Sequence, residues 1–301
     1  MVKRRDFIKS VIGLTVFGFT GCSHNRSRKV SAIVLQPTDC RFVNIHHSGW
    51  DLMWQLQLPE TVSCREGSFM TWPKINQEWI KQSKQCWYYK WRPTKEYAAQ
   101  QQSYPHRDSQ GNLIKLKFLT GVLVQPLIET YDNEVALTLA IGNESNKTFV
   151  DVRSDGGCFQ ARSTAFQNDN EAGRCYVVKD GKVVNMKNLH RTKSIRCKYL
   201  VDVTEYEDKR FSQYEWFWGR SNDKIDYPVI VGAVSRDGSK AVVIGYEHST
   251  SAMQNGDSHH CLHSMPTFGD IKPDTTVIRK GYILFGKNLT ALANELRKRL
   301  T

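Results

Sequence analysis

From Ser31 onward the chain is dominated by short runs in which apolar and polar residues alternate, broken at close intervals by Gly, Asn, Asp or Pro. Such a period of two is the mark of half-buried strands. Between Ser31 and Trp54 the runs are short, as in Ala32-Ile33-Val34-Leu35, and are interrupted by Pro37 and Gly49. Leu113 to Leu119, Val122 to Glu129 and Glu134 to Gly142 are expected as strands, the third on the alternation Val135, Leu137, Leu139, Ile141. Asn143 to Asn146 reads as a turn, and Thr148 to Val152 resumes a strand. Two hairpins are expected where Asp-Gly separates β-branched runs, at Asp180-Gly181 and at Asp237-Gly238, because a tight hairpin turn needs positive φ. Val277 to Phe285 is a last strand. Asn288 to Leu300 has helical spacing instead, with Leu289, Leu292, Leu296 and Leu300 on one stripe and Asn288 placed to cap it.

Many strands with one short C-terminal helix predict a mainly β fold, a large antiparallel β-sandwich of the supersandwich kind spanning residues 31–301 as a single domain. An aromatic-rich stretch near 71–102, opening on Trp72-Pro73 with Ile75, Trp79 and Ile80, departs from the alternation and reads as a short helix or an irregular insertion. No Gly-x-Gly-x-x-Gly or Walker loop follows any strand, so nucleotide cofactors are disfavoured and no cofactor is expected. Serine nucleophile chemistry lacks a Gly-x-Ser-x-Gly.

Charge is uneven. Half of the net +12 lies in the first thirty residues, where Lys3, Arg4, Arg5, Lys9, Arg26, Arg28 and Lys29 face only Asp6. Arg4 and Arg5, followed by Asp6, Phe7, Ile8 and Lys9, resemble a twin-arginine export signal. The mildly apolar stretch Ser10 to Gly21 would make a helix of about 18 Å, short of a ~30 Å hydrocarbon core, which suits a cleaved signal over residues 1–21. Phe19-Thr20-Gly21-Cys22 resembles a lipobox, with Phe19 where Leu is usual. That resemblance implies a lipidated Cys22, a basic tether over 22–30 that favours an anionic membrane surface, and a periplasmic or cell-envelope location. The implied partners are a twin-arginine translocase during export and the membrane through Cys22. The body has no dense Lys/Arg run, which excludes nucleic acid as a partner.

With Cys22 lipidated, seven of the eight cysteines remain, an odd number. An oxidising destination favours disulfides, but a twin-arginine substrate folds before export, so most cysteines are expected in the core with one or two pairs formed late. No Cys-x-x-Cys points to a zinc ribbon or thioredoxin-type site.

Three groups of residues could carry chemistry. Glu247 to Pro266 concentrates His248, His259, His260 and His263 around Cys261. On a strand His259, Cys261 and His263 share a face and form a candidate metal set; a polar loop with Cys261 or His263 tucked into the core fits the same residues. Trp87, Tyr89 and Trp91, and likewise Tyr214, Trp216 and Trp218, share faces that could stack on sugar rings or equally fill a sandwich core. Among carboxylates at strand ends and turns (Glu129, Asp151, Asp155, Glu215, Asp226 and Glu247), Glu247 beside His248 is the leading acid–base candidate, with a solvent-facing strand end as its plain reading. A functional site is expected if Glu247, Asn255 and His263 converge with Trp216 or Trp87 on the wall.

Three segments carry a broader resemblance: Asn143 with Asp151 and Cys158; Pro228 to Glu247 with its Asp237-Gly238 turn; and Cys261-Leu-His263-Ser-Met265-Pro266 followed by Gly281. From about Asn143 to the C-terminus the chain resembles a group of exported bacterial proteins, with Met265 where that group often has Asp. The resemblance implies a large sandwich of the kind seen in galactose-mutarotase-like domains and sugar-lyase accessory domains, and implies no activity. Two functions are therefore expected: binding of a carbohydrate or other envelope polymer, or a carbohydrate-active enzyme (epimerase, lyase or hydrolase) using Glu247 with His263 or His260.

Overall fold

The computed structural model describes residues 31–38, 42–50, 52–70, 77–102, 117–169, 171–194, 196–204, 219–255 and 260–301. Arg4, Arg5, Phe7 and Cys22, expected from the sequence to serve export and lipidation, lie outside them, as do Trp216, Trp218 and His259.

The chain crosses repeatedly between two sheets. It opens with β1 (Ile33–Pro37), β2 (Phe42–His47), β3 (Leu52–Gln57), β4 (Thr61–Cys64) and β5 (Gly67–Met70) in an eleven-stranded sheet, here sheet one. β6 (Ile80–Ser83), β7 (Cys86–Tyr88), helix α1 (Lys95–Gln102), β8 (Val122–Tyr131) and β9 (Glu134–Asn143) follow, their strands joining a nine-stranded sheet two. β10 (Phe149–Ser154) and β11 (Cys158–Ala161) return to sheet one, and the hairpin β12 (Cys175–Lys179) and β13 (Lys182–Asn185) goes to sheet two. β14 (Arg196–Leu200) and β15 (Gly219–Lys224) belong to sheet one, and β16 (Ile230–Val234) and β17 (Ala241–Tyr246) to sheet two. β18 (Ser249–Asn255) and β19 (Cys261–Ile271) complete sheet one; β20 (Thr275–Gly286) lies in sheet two and leads into helix α2 (Leu289–Leu300). Pairing between the named strands is antiparallel except for β14 with β15. The large antiparallel sandwich expected from the alternation is the observed fold.

The faces that meet are apolar. Trp54 and Leu56 of β3, Phe159 of β11 and Leu262 of β19 are fully buried and meet Val242, Ile244, Ile283 and Phe285 of sheet two in one core. Trp54 stacks on Phe159 at 4.2 Å, and Phe159 meets Phe285 edge-on at 6.3 Å, which ties the sheets together at this point. Val135, Leu137, Leu139 and Ile141 of β9 are buried in the same core, as their alternation requires.

Helix α2 closes the opposite side of sheet two. Ala293, Leu296 and Leu300 pack on Val178, Ile230, Val243 and Leu284, and each leucine so buried stabilises the fold by about 1.5–3 kcal/mol. The Asn288 side chain accepts a hydrogen bond from Ala291 N at 3.0 Å, closing the helix N-terminus. Asn288→Ala is expected to cost about 1 kcal/mol, read as a lower urea midpoint at unchanged slope; an unmoved midpoint would remove the cap from the account.

The hairpins differ in detail. Asp180 and Gly181 both take positive φ, 52° and 74°, and Asp226 accepts a hydrogen bond from each of their N–H groups at 2.8 Å. In the second hairpin Gly238 takes φ 71°, while Asp237 accepts from Ser235 Oγ and Ser239 N and braces a longer loop. The stretch read as a helix or insertion near 71–102 supplies β6 and β7 at the edge of sheet two as well as α1.

A buried cysteine, histidine and carboxylate site on the outer face of sheet one

Alternation on β19 sends Leu262 inward to the core and Cys261 and His263 to the other face, turned away from sheet two. Register builds the neighbours. Gln160 of β11 lies opposite Cys261, and Asn255 and Met253 of β18 lie opposite Cys261 and His263. Gln160 is also opposite Gln55 of β3, which in turn faces Asn44 of β2. Gln55 Nε2 donates to Asn44 Oδ1 at 3.1 Å, and Arg162 Nε donates to Gln55 Oε1 at 3.2 Å. The outer face thus carries amides and a guanidinium where the inner face carries Trp54, Phe159 and Leu262.

The site sits where two strand lines break together. One edge of β19 pairs first with β11 and then with β10, and these strands pair in turn with β3 and β4. Residues 58–60 and 155–157 are therefore aligned interruptions. Gly156 and Gly157 take φ 66° and 128°, and a Cβ on Gly156 would come within 2.3 Å of Ser264 O, so only glycine lets this segment turn so close to β19. Asp155 locks the two breaks: its carboxylate accepts from Glu60 N, Thr61 N and Thr61 Oγ1, each at 3.0 Å.

His263, 1% exposed, stands between sulfur and carboxylate. Its Nε2 lies 3.1 Å from Cys261 Sγ, and its Nδ1 faces Glu60 Oε2 at 3.8 Å. Cys158 completes the set: the sulfur atoms of Cys158 and Cys261 and a ring nitrogen of His263 all lie within 4.8 Å of one another. Gln160 Nε2 donates to Cys158 Sγ at 3.0 Å. Burial and its hydrogen bond to Cys261 push the Cys158 thiol well up. The same hydrogen bond, received by Cys261, and the adjacent His263 charge outweigh burial and hold Cys261 well below the usual thiol range. Burial works against a charged His263, yet Cys261, Glu60 and Asp155 overcome it and hold the imidazole at about 9. Asp155 itself is pushed up by burial against the pull of His263 and its N–H donors. Together these residues gather two cysteine sulfurs, an imidazole and two carboxyl groups in one buried cluster, residue types able to act as nucleophile and base or to ligate a soft cation.

A second buried cluster adjoins it. Cys175 Sγ is 3.8 Å from His260 Nε2, and Asp169, which accepts from Gly173 N and Arg174 N, completes the group. Burial holds His260 below its ordinary value.

Of the residues picked out in the sequence, the structure brings together Cys261, His263 and Asn255. Glu247 is not among the groups around His263. It lies just past β17, its carboxylate accepts from Lys280 N at 3.0 Å, and it faces the charge of Arg279. The carboxylates beside His263 are Glu60 and Asp155 instead. Trp87 and Trp91 serve the edge of sheet two. Trp87 packs against the core with Lys81 Nζ 5.4 Å above its ring, and Trp91 is buried edge-on against Tyr97 at 4.9 Å. Their common face is used for packing because β7 and the Trp91 bridge pair with β8, whose Val124 and Ile128 point into the core. All six described cysteines are buried. Glu60, Cys158 and Gln160 carried no local site signal; Cys158 stood out only in the resemblance, where it went with Asn143 and Asp151 in a segment separate from that of Cys261 and His263.

No protein-family model matches the chain, and no curated protein matches it. Solved structures do. The Slr1438 protein of Synechocystis sp. PCC 6803 matches with a TM-score of 0.51 at 8% identity, over 86% of this chain and 93% of that one. The α-N-acetylgalactosaminidase NagBb of Bifidobacterium bifidum matches with a TM-score of 0.50 at 9% identity, over 90% of this chain and 38% of that one. A galactose mutarotase related enzyme of Lactobacillus acidophilus superposes less closely, with a TM-score of 0.44 at 6% identity over 85% of this chain and 98% of that one. At these identities the first two likenesses speak to the fold alone.

Proposed function

We propose that this chain is an exported, lipid-anchored sandwich protein that binds a carbohydrate of the cell envelope on the outer face of sheet one. One observation carries the reading: Asn44, Gln55 and Arg162, half-buried and joined by hydrogen bonds, form a fixed row of donors and acceptors across one sheet face. Sugar hydroxyls both donate and accept, so paired amides beside a guanidinium suit them. The similarity to an α-N-acetylgalactosaminidase described in complex with GalNAc is in keeping with a sugar ligand. Export and anchoring rest on Arg4-Arg5 and on Phe19 to Cys22.

Affinity electrophoresis in gels carrying envelope polysaccharides tests the binding. Retardation by at least one of them is expected, and Arg162→Ala is expected to weaken it about tenfold, the loss of one hydrogen bond from a charged donor. A chain that no polysaccharide retards, or an Arg162→Ala variant retarded like the parent, would overturn the reading. A carbohydrate-active enzyme is the second reading, supported by the placement of His263 between Cys261 and the Glu60 and Asp155 carboxylates. Turnover of a retarded polysaccharide, seen as new reducing ends and lost in Glu60→Gln, would favour it over binding alone.

A further inference from the structure

We propose that Cys158, Cys261 and His263 form a binding site for a borderline-soft divalent cation of the Zn²⁺ class, separate from the polar row at Asn44, Gln55 and Arg162. The donor set is the first ground. Two thiolates and a neutral imidazole are preferred ligands of such an ion, the Cys158 thiol and the His263 ring releasing their protons to solvent as it binds, and two thiolates cancel its charge, which a site this buried requires. Cys158 and Cys261 are 3% and 4% exposed and His263 is 1% exposed.

Geometry is the second. Metal–sulfur and metal–nitrogen bonds of ~2.3 and ~2.0 Å in a tetrahedron place donor atoms roughly 3.5–3.8 Å apart. The three donors already lie within 4.8 Å of one another, so small side-chain rotations close the site. They are also held by rigid elements. Cys261 and His263 stand two apart on one face of β19, and continuing the ladder past Phe159 opposite Leu262 sets Cys158 of β11 opposite His263.

The surroundings are the third. The His263 nitrogen nearest sulfur is Nε2, while Nδ1 is turned to Glu60 Oε2 at 3.8 Å. A metal-ligating histidine commonly has its other nitrogen directed to a carboxylate, which orients the ring and raises its basicity. Gln160 Nε2 donates to Cys158 Sγ at 3.0 Å, an outer contact suited to a metal-bound thiolate. Gln160 Oε1 is buried and has no hydrogen-bond partner among the described residues. Because Glu60 lies on the Nδ1 side of the ring, it orients the histidine. His259, grouped with Cys261 and His263 on spacing alone, is replaced in this set by Cys158 from a distant strand.

The test is titration of the full chain, purified without a histidine tag and stripped with chelator, first with Co²⁺ and then with Zn²⁺. One equivalent of Co²⁺ is expected to bind with a sulfur-to-cobalt charge-transfer band and tetrahedral visible bands, both erased when Zn²⁺ displaces it. Cys261→Ser and Cys158→Ser should lose the charge-transfer intensity, and Glu60→Gln should bind about 10–100-fold more weakly with the band retained. Cys175→Ser, in the neighbouring cluster, should leave stoichiometry and spectrum unchanged. The parent chain alone decides the matter if a cysteine variant fails to fold: X-ray absorption on the Zn²⁺ form should give two sulfur neighbours and one imidazole. Failure of the parent to bind either ion stoichiometrically, binding without a thiolate band, or a band that moves with Cys175→Ser would overturn the proposal. None of these outcomes depends on polysaccharide binding.

Discussion

Replacing Asp155 by alanine is expected to lower the unfolding free energy by about 3–5 kcal/mol, a large share of the 5–15 kcal/mol typical of a folded domain. The carboxylate is buried and receives Glu60 N, Thr61 N and Thr61 Oγ1, each at 3.0 Å. Alanine would leave those donors without a partner, and each buried donor so stranded costs about 1–3 kcal/mol. The contacts also hold the 58–60 break against the 155–157 break, so the loss reaches the wall of the cysteine and histidine site. Asp155→Asn keeps an oxygen for the two backbone donors that share Oδ1 and should lose about 1–2 kcal/mol. Urea denaturation of the two variants side by side checks this. Equal losses would show that the backbone donors do not need that oxygen.

Gly281→Ala should be nearly as damaging, at about 3 kcal/mol, although it adds one methyl group. A Cβ at position 281 would lie 2.4 to 2.7 Å from three ring atoms of Tyr246, directly opposite on β17. The ring cannot yield cheaply. It is fully buried, and its far edge approaches Gly156, where a Cβ would stand 3.0 Å from Tyr246 Cε2. Shrinking the ring should relieve the clash, so Tyr246→Leu combined with Gly281→Ala should recover at least ~1 kcal/mol relative to the sum of the single changes. Thermal unfolding of the four proteins measures that coupling. A Gly281→Ala variant as stable as the parent would show that the ring has room after all.

How much of this could be read along the chain depended on the range of each interaction. β9 was legible because four apolar side chains two apart must face one core, and the first hairpin because Asp180-Gly181 has few other uses. Helix α2 was legible from its leucine stripe and Asn288. β6 was not: Ile80, Lys81 and Gln82 are all exposed on an edge strand, so packing imposes no alternation on them. At the site, Cys261 and His263 could be paired by a spacing of two. Glu247 looked equivalent to any other strand-end carboxylate until its hydrogen bond with Lys280 N placed it on β20's ladder. The tryptophans of the 87–91 stretch share a face in either use, and only the position of β8 shows that the face is a core.

By itself the sequence determined the period-two strands, the first Asp-Gly turn, the capped C-terminal helix and hence the sandwich, all of which follow from contacts within a few residues. It also held the Arg4-Arg5 and Cys22 signals on which the export proposal rests. Tertiary structure decided which residues stand beside His263. Glu60, Asp155 and Cys158 reach it from strands and breaks about one to two hundred positions away, through the registers of β3, β4, β10 and β11 against one another and β19. Each register is set by the burial of Trp54, Phe159 and Leu262 on the opposite face, since a slip of one residue would turn those apolar side chains outward and the cysteine and histidine in.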